Sequence, residues 1–96
     1  MAAGASKSPS VSVVIPAYQA AAYIAATLDS VRRQTLREIE ILVVDDGSTD
    51  ETPEVVARIA ATDPRVRLIT QSNAGVAAAR KRGIEEARAP YVAPVD

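Results

Sequence analysis

The chain has 96 residues, of which 48% are apolar, and its only aromatic residues are three Tyr. This length suits one small domain with a modest core of Ala, Val, Ile and Leu. The formal net charge of −1 gives no basic excess that would attract nucleic acid or an anionic membrane. Because the chain has no Cys and no His, disulfides and thiolate or imidazole metal sites are excluded. A bound metal would be a hard ion held by oxygen, such as Mg²⁺ or Mn²⁺.

The two ends of the chain differ in character. Residues 1–10 are small and polar and lack the apolar stretch of a signal peptide, so a disordered leader is predicted. No apolar run approaches the roughly 20 residues that a transmembrane helix needs. At the other end, a strand predicted at 91–95 is followed by a single residue. Since a domain seldom ends on an inner strand, we expect residues 11–96 to be part of a larger domain.

The first predicted unit is a strand, a turn and a helix. The strand covers 11–15 and is closed by Pro16, which has no N–H to donate. Residues 17–19 form the turn. An amphipathic helix is predicted from Ala20 to about Gln34, because its apolar side chains recur at helical spacing. These side chains are Ile24, Leu28 and Val31.

The second unit is a strand that ends in an acidic turn. Residues 39–44 are almost all aliphatic, as expected of a parallel strand buried on both faces. Asp45 and Asp46 follow at its carboxyl end, and Ser48 with Glu51 fits a capping box that opens a helix. Ligands of open α/β sheets bind outside the carboxyl ends of strands. The acidic pair is therefore a candidate ligand site; the alternative is that it only solvates a turn and caps a helix.

The remaining pattern adds two helices and two strands. The second helix contains 55–60 and ends before Asp63-Pro64. A short strand at 66–70, a polar loop at 71–73, a helix from 76 to about 88 and the strand at 91–95 follow. The order β-α-β-α-β-α-β predicts an α/β fold, a Rossmann-like and mostly parallel sheet flanked by helices with right-handed crossovers.

Three loops of such a sheet leave strand ends at the same edge, at 16–20, 45–48 and 72–75. Their carboxylates, Tyr ring and backbone N–H groups are the groups that would bind a nucleotide. Neither a Walker P-loop nor a GxGxxG motif is present. Arg80 could instead offset phosphate charge, and Asp96 could hold a divalent ion that bridges the phosphates. The alternatives are a solvated helix face for Arg80 and an ordinary strand-end carboxylate for Asp96.

Five ordered blocks of residues 11–96 resemble the amino-terminal half of a family 2 inverting glycosyltransferase, whose GT-A fold binds nucleotide sugars. Any one block is weak, but the ordered set is highly specific. The blocks are Ser12-Val-Val-Ile-Pro-Ala-Tyr18, Leu28-Asp-Ser-Val31 with Gln34-Thr35, Val43-Val-Asp-Asp-Gly-Ser-Thr-Asp50, Asn73-Ala-Gly-Val76 with Ala78-Ala-Arg-Lys-Arg-Gly83, and Tyr91-Val-Ala93.

The resemblance implies a role for residues of the first two strand ends. Pro16, Ala17 and Tyr18 would line the base and ribose of the donor. Asp46, with Asp45 beside it, would bind the edge of a uracil-type base. By this resemblance the five residues would form the base- and ribose-binding part of the donor site.

The resemblance also assigns residues around the diphosphate. Asn73 and Arg80 would lie near the base, ribose or diphosphate. Asp96 matches the first Asp of the DxD motif and would contribute to binding Mg²⁺ or Mn²⁺, while the second Asp falls beyond the chain. Two departures are present: Gln19 replaces the usual Asn, and Pro94 interrupts the last block, so an irregular fourth strand is expected.

The reaction implied is transfer of a sugar from a nucleoside-diphosphate sugar, with a UDP-sugar expected, to a hydroxyl of a glycan, lipid-linked or small-molecule acceptor, with inversion. The base is expected in the absent half, so no catalytic residue is assigned and the isolated chain is expected to be inactive. A cytoplasmic location is expected, and attachment of the parent enzyme to the inner membrane face stays open. Two alternatives remain: a receiver-like signalling domain and a degenerate nucleotide-binding module.

Overall fold

The computed structural model describes residues 8–34 and 38–95. Four strands alternate with three helices in this part of the chain, which confirms the predicted order. The elements are β1 Val11–Ala17, α1 Ile24–Arg32, β2 Ile39–Asp46, α2 Thr52–Ala60, β3 Val66–Gln71, α3 Val76–Glu86 and β4 Tyr91–Pro94. Of the predicted leader, residues 1–7 lie outside the described residues, whereas the Ser10 N–H donates to the carbonyl of Glu38 at 2.7 Å.

The four strands form one all-parallel sheet in the order β3-β2-β1-β4. The chain moves outward from β1 to β3 with α1 and α2 on one face, then returns to the far side of β1 with α3 on the other face. Right-handed crossovers require this change of face when the direction reverses. The reversal creates a topological switch point between β1 and β4, where open α/β sheets bind ligands.

The strand order also tests the receiver alternative. In the flavodoxin-like order 2-1-3-4-5 of receiver domains, the first strand lies between the second and the third. Here β1 lies between β2 and β4. The receiver interpretation is therefore wrong at the level of topology.

A separate core covers each face of the sheet. All eight residues of β2 are buried, as predicted for a parallel strand. Ile41 and Val43 pack with α1 and α2, whereas Leu42 and Val44 pack with Ala79 of α3. Gly83 allows α3 to approach β1 closely, because a Cβ there would lie 2.3 Å from the Cγ1 of Val14. The sequence supplies small residues in α3 where the helix must lie close to the sheet.

Two of the three predicted helix starts differ from the structure. Helix α1 begins at Ile24 rather than at Ala20, since residues 21–23 form a tight turn in which the Tyr23 and Ile24 N–H groups both donate to the Ala20 carbonyl. The predicted capping box of Ser48 and Glu51 was also wrong. Ser48 accepts from the backbone N–H of Gln19, and α2 begins at Thr52, whose N–H donates to Asp50 Oδ1 at 2.9 Å.

The fourth strand is regular despite its proline. It pairs with β1 from Val11↔Tyr91 to Val14↔Pro94, and the Val95 N–H then donates to the Val14 carbonyl at 2.9 Å. Since alternate residues of a strand point their N–H groups to opposite sides, the Pro94 nitrogen lies on the side of β4 that faces away from β1, and the pairing with β1 loses no donor. The expected irregularity was therefore wrong. No helix in the described ranges is long and apolar enough to cross a membrane.

A buried polar cluster holds the amino end of the sheet together on the α3 face. Glu40 of β2 accepts hydrogen bonds from the Ser12 hydroxyl and from the Arg88 N–H. Arg67 pairs with the same carboxylate at 3.4 Å and also contacts Glu86 of α3. This cluster, named the Glu40 cluster below, joins β1, β2, β3 and the end of α3.

Candidate functional site

The three loops predicted to converge do so at the carboxyl edge of the sheet. They border a cavity of about 320 Å³ next to the switch point. This volume lies at the lower end of the range for small-molecule sites. Of the predicted site residues, those that border it are Pro16, Ala17, Tyr18, Asp46 and Asn73.

Two tyrosines form the aromatic side of the cavity. Tyr18 follows β1 and is 51% exposed, and Tyr23 precedes α1 and is 58% exposed. A tyrosine ring offers an apolar face together with a polar hydroxyl, so these two residues can supply apolar contact to a ligand. Tyr23 was missed in the sequence. A usable signal was present, because Tyr23 is an aromatic residue that lies outside the apolar stripe of α1.

Gln19 forms hydrogen bonds that join the turn carrying Tyr18 to the β2–α2 loop. Its Oε1 accepts from the N–H groups of Thr49 at 2.6 Å and Asp50 at 3.2 Å, and its own N–H donates to Ser48 Oγ at 2.9 Å. Its φ of 52° lies in the left-handed region, which Asn adopts more readily than Gln. The longer side chain thus spans the gap between the β1–α1 turn and the β2–α2 loop, despite the cost in backbone strain.

Asp46 is the centre of the hydrogen bonding at the site. Its Oδ1 accepts from the Gln71 amide and the Ala74 N–H, both at 2.9 Å. Its Oδ2 accepts from the Gly75 N–H at 2.8 Å and the Asn73 amide at 3.2 Å. The hydrogen bond from Gln71, followed by those from the two N–H groups, outweighs burial and lowers the pKa of Asp46. Asp46 is therefore a carboxylate at neutral pH with neutral donors around it.

Glycines bring the loops within reach of this carboxylate. Gly47 has a φ of 77°, and a Cβ there would lie 2.7 Å from the Asn73 nitrogen. Gly75, with a φ of 101°, donates its N–H to Asp46 and directly precedes α3. Val76 and Ala79 of that helix complete the wall of the cavity. The β2–α2 and β3–α3 loops can meet only because position 47 has no side chain.

Two predicted residues, Asp45 and Arg80, do not border the cavity, and a third lies outside the described residues. Asp45 is buried, and strand alternation turns it to the α1–α2 face, opposite to Asp46; in the described part of the chain its Oδ1 has no hydrogen-bond partner. Arg80 is half-buried on α3, one residue after the cavity-lining Ala79. Asp96 lies outside the described residues, so its predicted position at the diphosphate stays a prediction.

The described residues do not form a metal site. No group of three or more acidic side chains that could hold an ion is found within ranges 8–34 and 38–95. Asp46 also has both carboxylate oxygens occupied by donors. A divalent ion would therefore depend on Asp96 and on residues beyond it, and no chemical step is assigned to an ion here.

Known proteins resemble this chain in sequence and in fold. The chain is 45% identical over 85 residues to the uncharacterized glycosyltransferase YibD of Escherichia coli, covering 88% of the chain and 25% of YibD. S. aureus TarS 1-349 in complex with UDP-GlcNAc superimposes with a TM-score of 0.83 at 30% identity, over 91% of this chain and 26% of TarS.

A second solved structure agrees with the first. The mannosyltransferase PcManGT from Pyrobaculum calidifontis, in complex with GDP-Man and Mn²⁺, matches with a TM-score of 0.75 at 33% identity, over 85% of this chain and 25% of that one. The chain thus spans about a quarter of the length of these relatives. The family model for glycosyl transferase family 2 matches residues 12–96. With this match over residues 12–96 and a four-stranded GT-A-like sheet, the chain belongs to glycosyl transferase family 2.

Proposed function

We propose that this chain is the donor-binding part of an enzyme that transfers a sugar from a nucleoside-diphosphate sugar to an acceptor hydroxyl with inversion. One observation carries the proposal: the cavity at the carboxyl edge of the sheet combines exposed aromatic rings with an ionised carboxylate. A nucleobase offers the matching surfaces, an apolar ring face and a polar edge with N–H donors. The UDP-GlcNAc and GDP-Man named with TarS and PcManGT support the same ligand class.

The proposed contacts follow from position around the cavity. Pro16, Ala17 and Tyr18 bind the base and ribose through apolar contact. Asp46 accepts a hydrogen bond from an N–H of the base edge, for which its low pKa keeps it charged. UDP-sugars are the proposed donors, since uracil is small and carries such an N–H. Asp45 is left out of these contacts because it lies on the other face of the sheet.

The diphosphate is proposed to lie toward α3 and the end of β4. Arg80 follows the cavity-lining Ala79 on α3, and Asp96 is the second residue after the end of β4 in the sequence. The proposed Mg²⁺ or Mn²⁺ ion rests on Asp96 and on the Mn²⁺ named with PcManGT. These contacts would place the sugar near the switch point, at the mouth of the cavity.

The residues of this chain bind and orient the donor, and no described side chain is proposed as the catalytic base. The acceptor hydroxyl attacks the anomeric carbon from the side opposite the departing nucleoside diphosphate, which inverts the configuration. A base outside this chain removes its proton. The acceptor is proposed to be a glycan, a lipid-linked or a small-molecule hydroxyl, and the location cytoplasmic. By itself the chain is proposed to bind donor without transferring sugar.

A nucleotide titration tests the proposal. Amide NMR spectra of the 15N-labelled chain are recorded with UDP, GDP and ATP. We expect UDP-selective shifts at Tyr18, Tyr23, Asn73 and Gly75, and no shifts around the distant Glu40 cluster. A well-dispersed spectrum whose amide shifts do not change with any of the nucleotides would contradict the proposal.

Turnover requires a second experiment on a longer protein that contains this chain with its catalytic half. Incubation with UDP-sugar and acceptor should release UDP, and proton coupling at the anomeric centre should show inversion. Binding without release of UDP would support the non-catalytic nucleotide-binding module instead. Sugar transfer by the purified 96-residue chain would refute the assignment of the base to another segment.

A further inference from the structure

Three successive backbone N–H groups of the β1–α1 turn donate to side chains of the β2–α2 loop. The pairs are Gln19 N–H to Ser48 Oγ at 2.9 Å, Ala20 N–H to Thr52 Oγ1 at 2.8 Å, and Ala21 N–H to Asp50 Oδ2 at 3.2 Å. In the other direction, Gln19 Oε1 accepts from the N–H groups of Thr49 at 2.6 Å and Asp50 at 3.2 Å. These hydrogen bonds are named the Gln19 clasp below. Residues 48–50 belong to the third block of the resemblance, yet the proposed function gives them no contact with a ligand.

The backbone of Gln19 is strained within this clasp. Among the described residues, Gln19 is the only one other than glycine with a positive φ, at 52°. A residue of this kind keeps such a conformation only where the surrounding structure over-determines it. Here the fixing contacts are the hydrogen bonds that Gln19 makes with its N–H and with its side-chain oxygen. The clasp therefore holds the β1–α1 turn in one conformation.

The residue placed by this conformation is Tyr18. It lies between Ala17, the last residue of β1, and Gln19. Ala17 pairs with Asp45 of β2, so the sheet fixes the backbone before Tyr18 and the clasp fixes the backbone after it. The ring of Tyr18 borders the cavity and is 51% exposed. Because packing covers only about half of this side chain, its placement depends strongly on the backbone that carries it.

We propose that Gln19 is a positioning residue, which through the clasp holds Tyr18 in the place that the donor nucleotide requires. This role rests on the proposed function, in which Tyr18 contacts the base and ribose. Gln19 does not border the cavity, so it acts through Tyr18 and not by touching the ligand. A turn that is already held in its bound conformation loses less conformational entropy when the ligand binds. The clasp thereby strengthens binding without adding a contact.

Substitutions that keep or remove the acceptor oxygen of Gln19 test this role, with UDP as the ligand, or GDP if GDP binds more tightly. Gln19→Glu keeps an oxygen at the same reach and should bind within about twofold of the natural chain. Gln19→Met has nearly the same length but no such acceptor, and should bind about fivefold more weakly, the cost of ordering one mobile side chain. Gln19→Gly should show the same loss, and it keeps the test decisive if the Met variant does not fold, because glycine adopts a positive φ without strain.

A matched control makes the same exchange elsewhere. Gln34 is exposed, follows the end of α1 and does not border the cavity. Gln34→Met should leave the affinity within about twofold of the natural chain. A readout without ligand accompanies the titrations: the 15N order parameter of the Tyr18 amide should fall from about 0.85 to below about 0.6 in Gln19→Met and stay unchanged in Gln34→Met.

A double-mutant cycle separates positioning of Tyr18 from a general loosening of the domain. In a chain that already carries Tyr18→Ala, Gln19→Met should weaken binding by less than about twofold, because the contact through which it acts is gone. A general loosening would instead cause the same fivefold loss in both backgrounds. Calorimetric titration gives the four affinities, and dispersed amide spectra verify that each variant is folded.

The failures of the two proposals are distinguishable. Unchanged nucleotide affinity in folded Gln19→Met and Gln19→Gly, an unchanged Tyr18 order parameter, or the same loss in both backgrounds of the cycle would overturn the positioning role while leaving nucleotide binding intact. If the folded natural chain binds neither UDP, GDP nor ATP, the proposed function itself fails, and the positioning role fails with it.

Discussion

Strand β2 carries two buried carboxylates, Glu40 near one end and Asp46 at the other, and both face α3. Their exposed fractions are similar, at 6% and 3%. Glu40 is paired with the guanidinium of Arg67 and lies among side chains that join three strands. Among the described residues, Asp46 accepts only from neutral groups and borders a cavity. The surroundings, rather than the burial, separate a structural carboxylate from a candidate ligand-binding one.

The charges of the two carboxylates are stabilised differently. Burial by itself would raise the pKa of Glu40, but hydrogen bonds from Ser12 and Arg88 and the charge of Arg67 bring it below its usual value. The pKa of Asp46 is lowered by hydrogen bonds alone, that from Gln71 first. Glu40 is therefore neutralised by a cation, whereas the hydrogen bonds to Asp46 among the described residues come from neutral groups.

The largest expected effect is on stability at the Glu40 cluster. Replacing Glu40 by Ala leaves Arg67, Ser12 and the Arg88 N–H without their shared acceptor. We expect a loss of about 3 kcal/mol in the free energy of unfolding, measured by urea titration. Nucleotide affinity of the remaining folded protein should change less than about twofold. A marked loss of affinity would mean that the two ends of β2 are coupled.

Gly47→Ala should have the next largest effect and should act at the other end of the strand. The new Cβ would be strained at a φ of 77° and would lie 2.7 Å from the Asn73 nitrogen. We expect a loss of about 2 kcal/mol in the free energy of unfolding. We also expect weaker nucleotide binding, because the β3–α3 loop must move. Urea unfolding and a UDP titration measure the two effects. Unchanged UDP affinity would show that the contact between the loops does not shape the cavity.

The pH dependence of stability tests a third carboxylate, Asp63, which is paired with Arg65 and Arg32. Hydrogen bonds from Arg65 come first among the causes that lower its folded-state pKa well below its usual range. A lowered folded pKa gives stability that is present above the unfolded pKa, near 3.9, and is lost as pH falls through the folded value. Asp63→Asn should flatten the fall in unfolding free energy below about pH 4. An unchanged slope would refute this assignment.

The smallest expected effect concerns the aromatic wall. Tyr23→Ala should weaken UDP binding by about fivefold by removing one apolar face of the cavity. Tyr91→Ala is the matched control, since Tyr91 is 72% exposed and does not border the cavity. Calorimetric titration with UDP measures both variants. Equal losses of UDP affinity in the two variants would show that Tyr23 does not contribute to the site.

The sequence predicted the elements and the convergence of the loops, because apolar periodicity and strand order depend on local pattern and general topology. It misplaced the start of α1, because residues 21–23 form a turn in which the N–H of Ala21 is bound by Asp50, a residue distant in sequence. The sequence analysis also placed Asp45 and Asp46 in the same site, although successive side chains of a β-strand point to opposite faces of the sheet. The donors around Asp46 come from a loop whose conformation depends on Gly47, which no local pattern reveals.

The comparison within β2 is tested most directly by measuring UDP affinity and unfolding free energy for Asp46→Asn and Glu40→Gln side by side. Asp46→Asn should reduce UDP affinity at least about tenfold, because the amide presents a donor where the base needs an acceptor. Glu40→Gln should reduce stability and leave the affinity of the folded chain within about twofold. Equal UDP affinity in the two variants would contradict the assignment of Asp46 as the ligand-binding carboxylate.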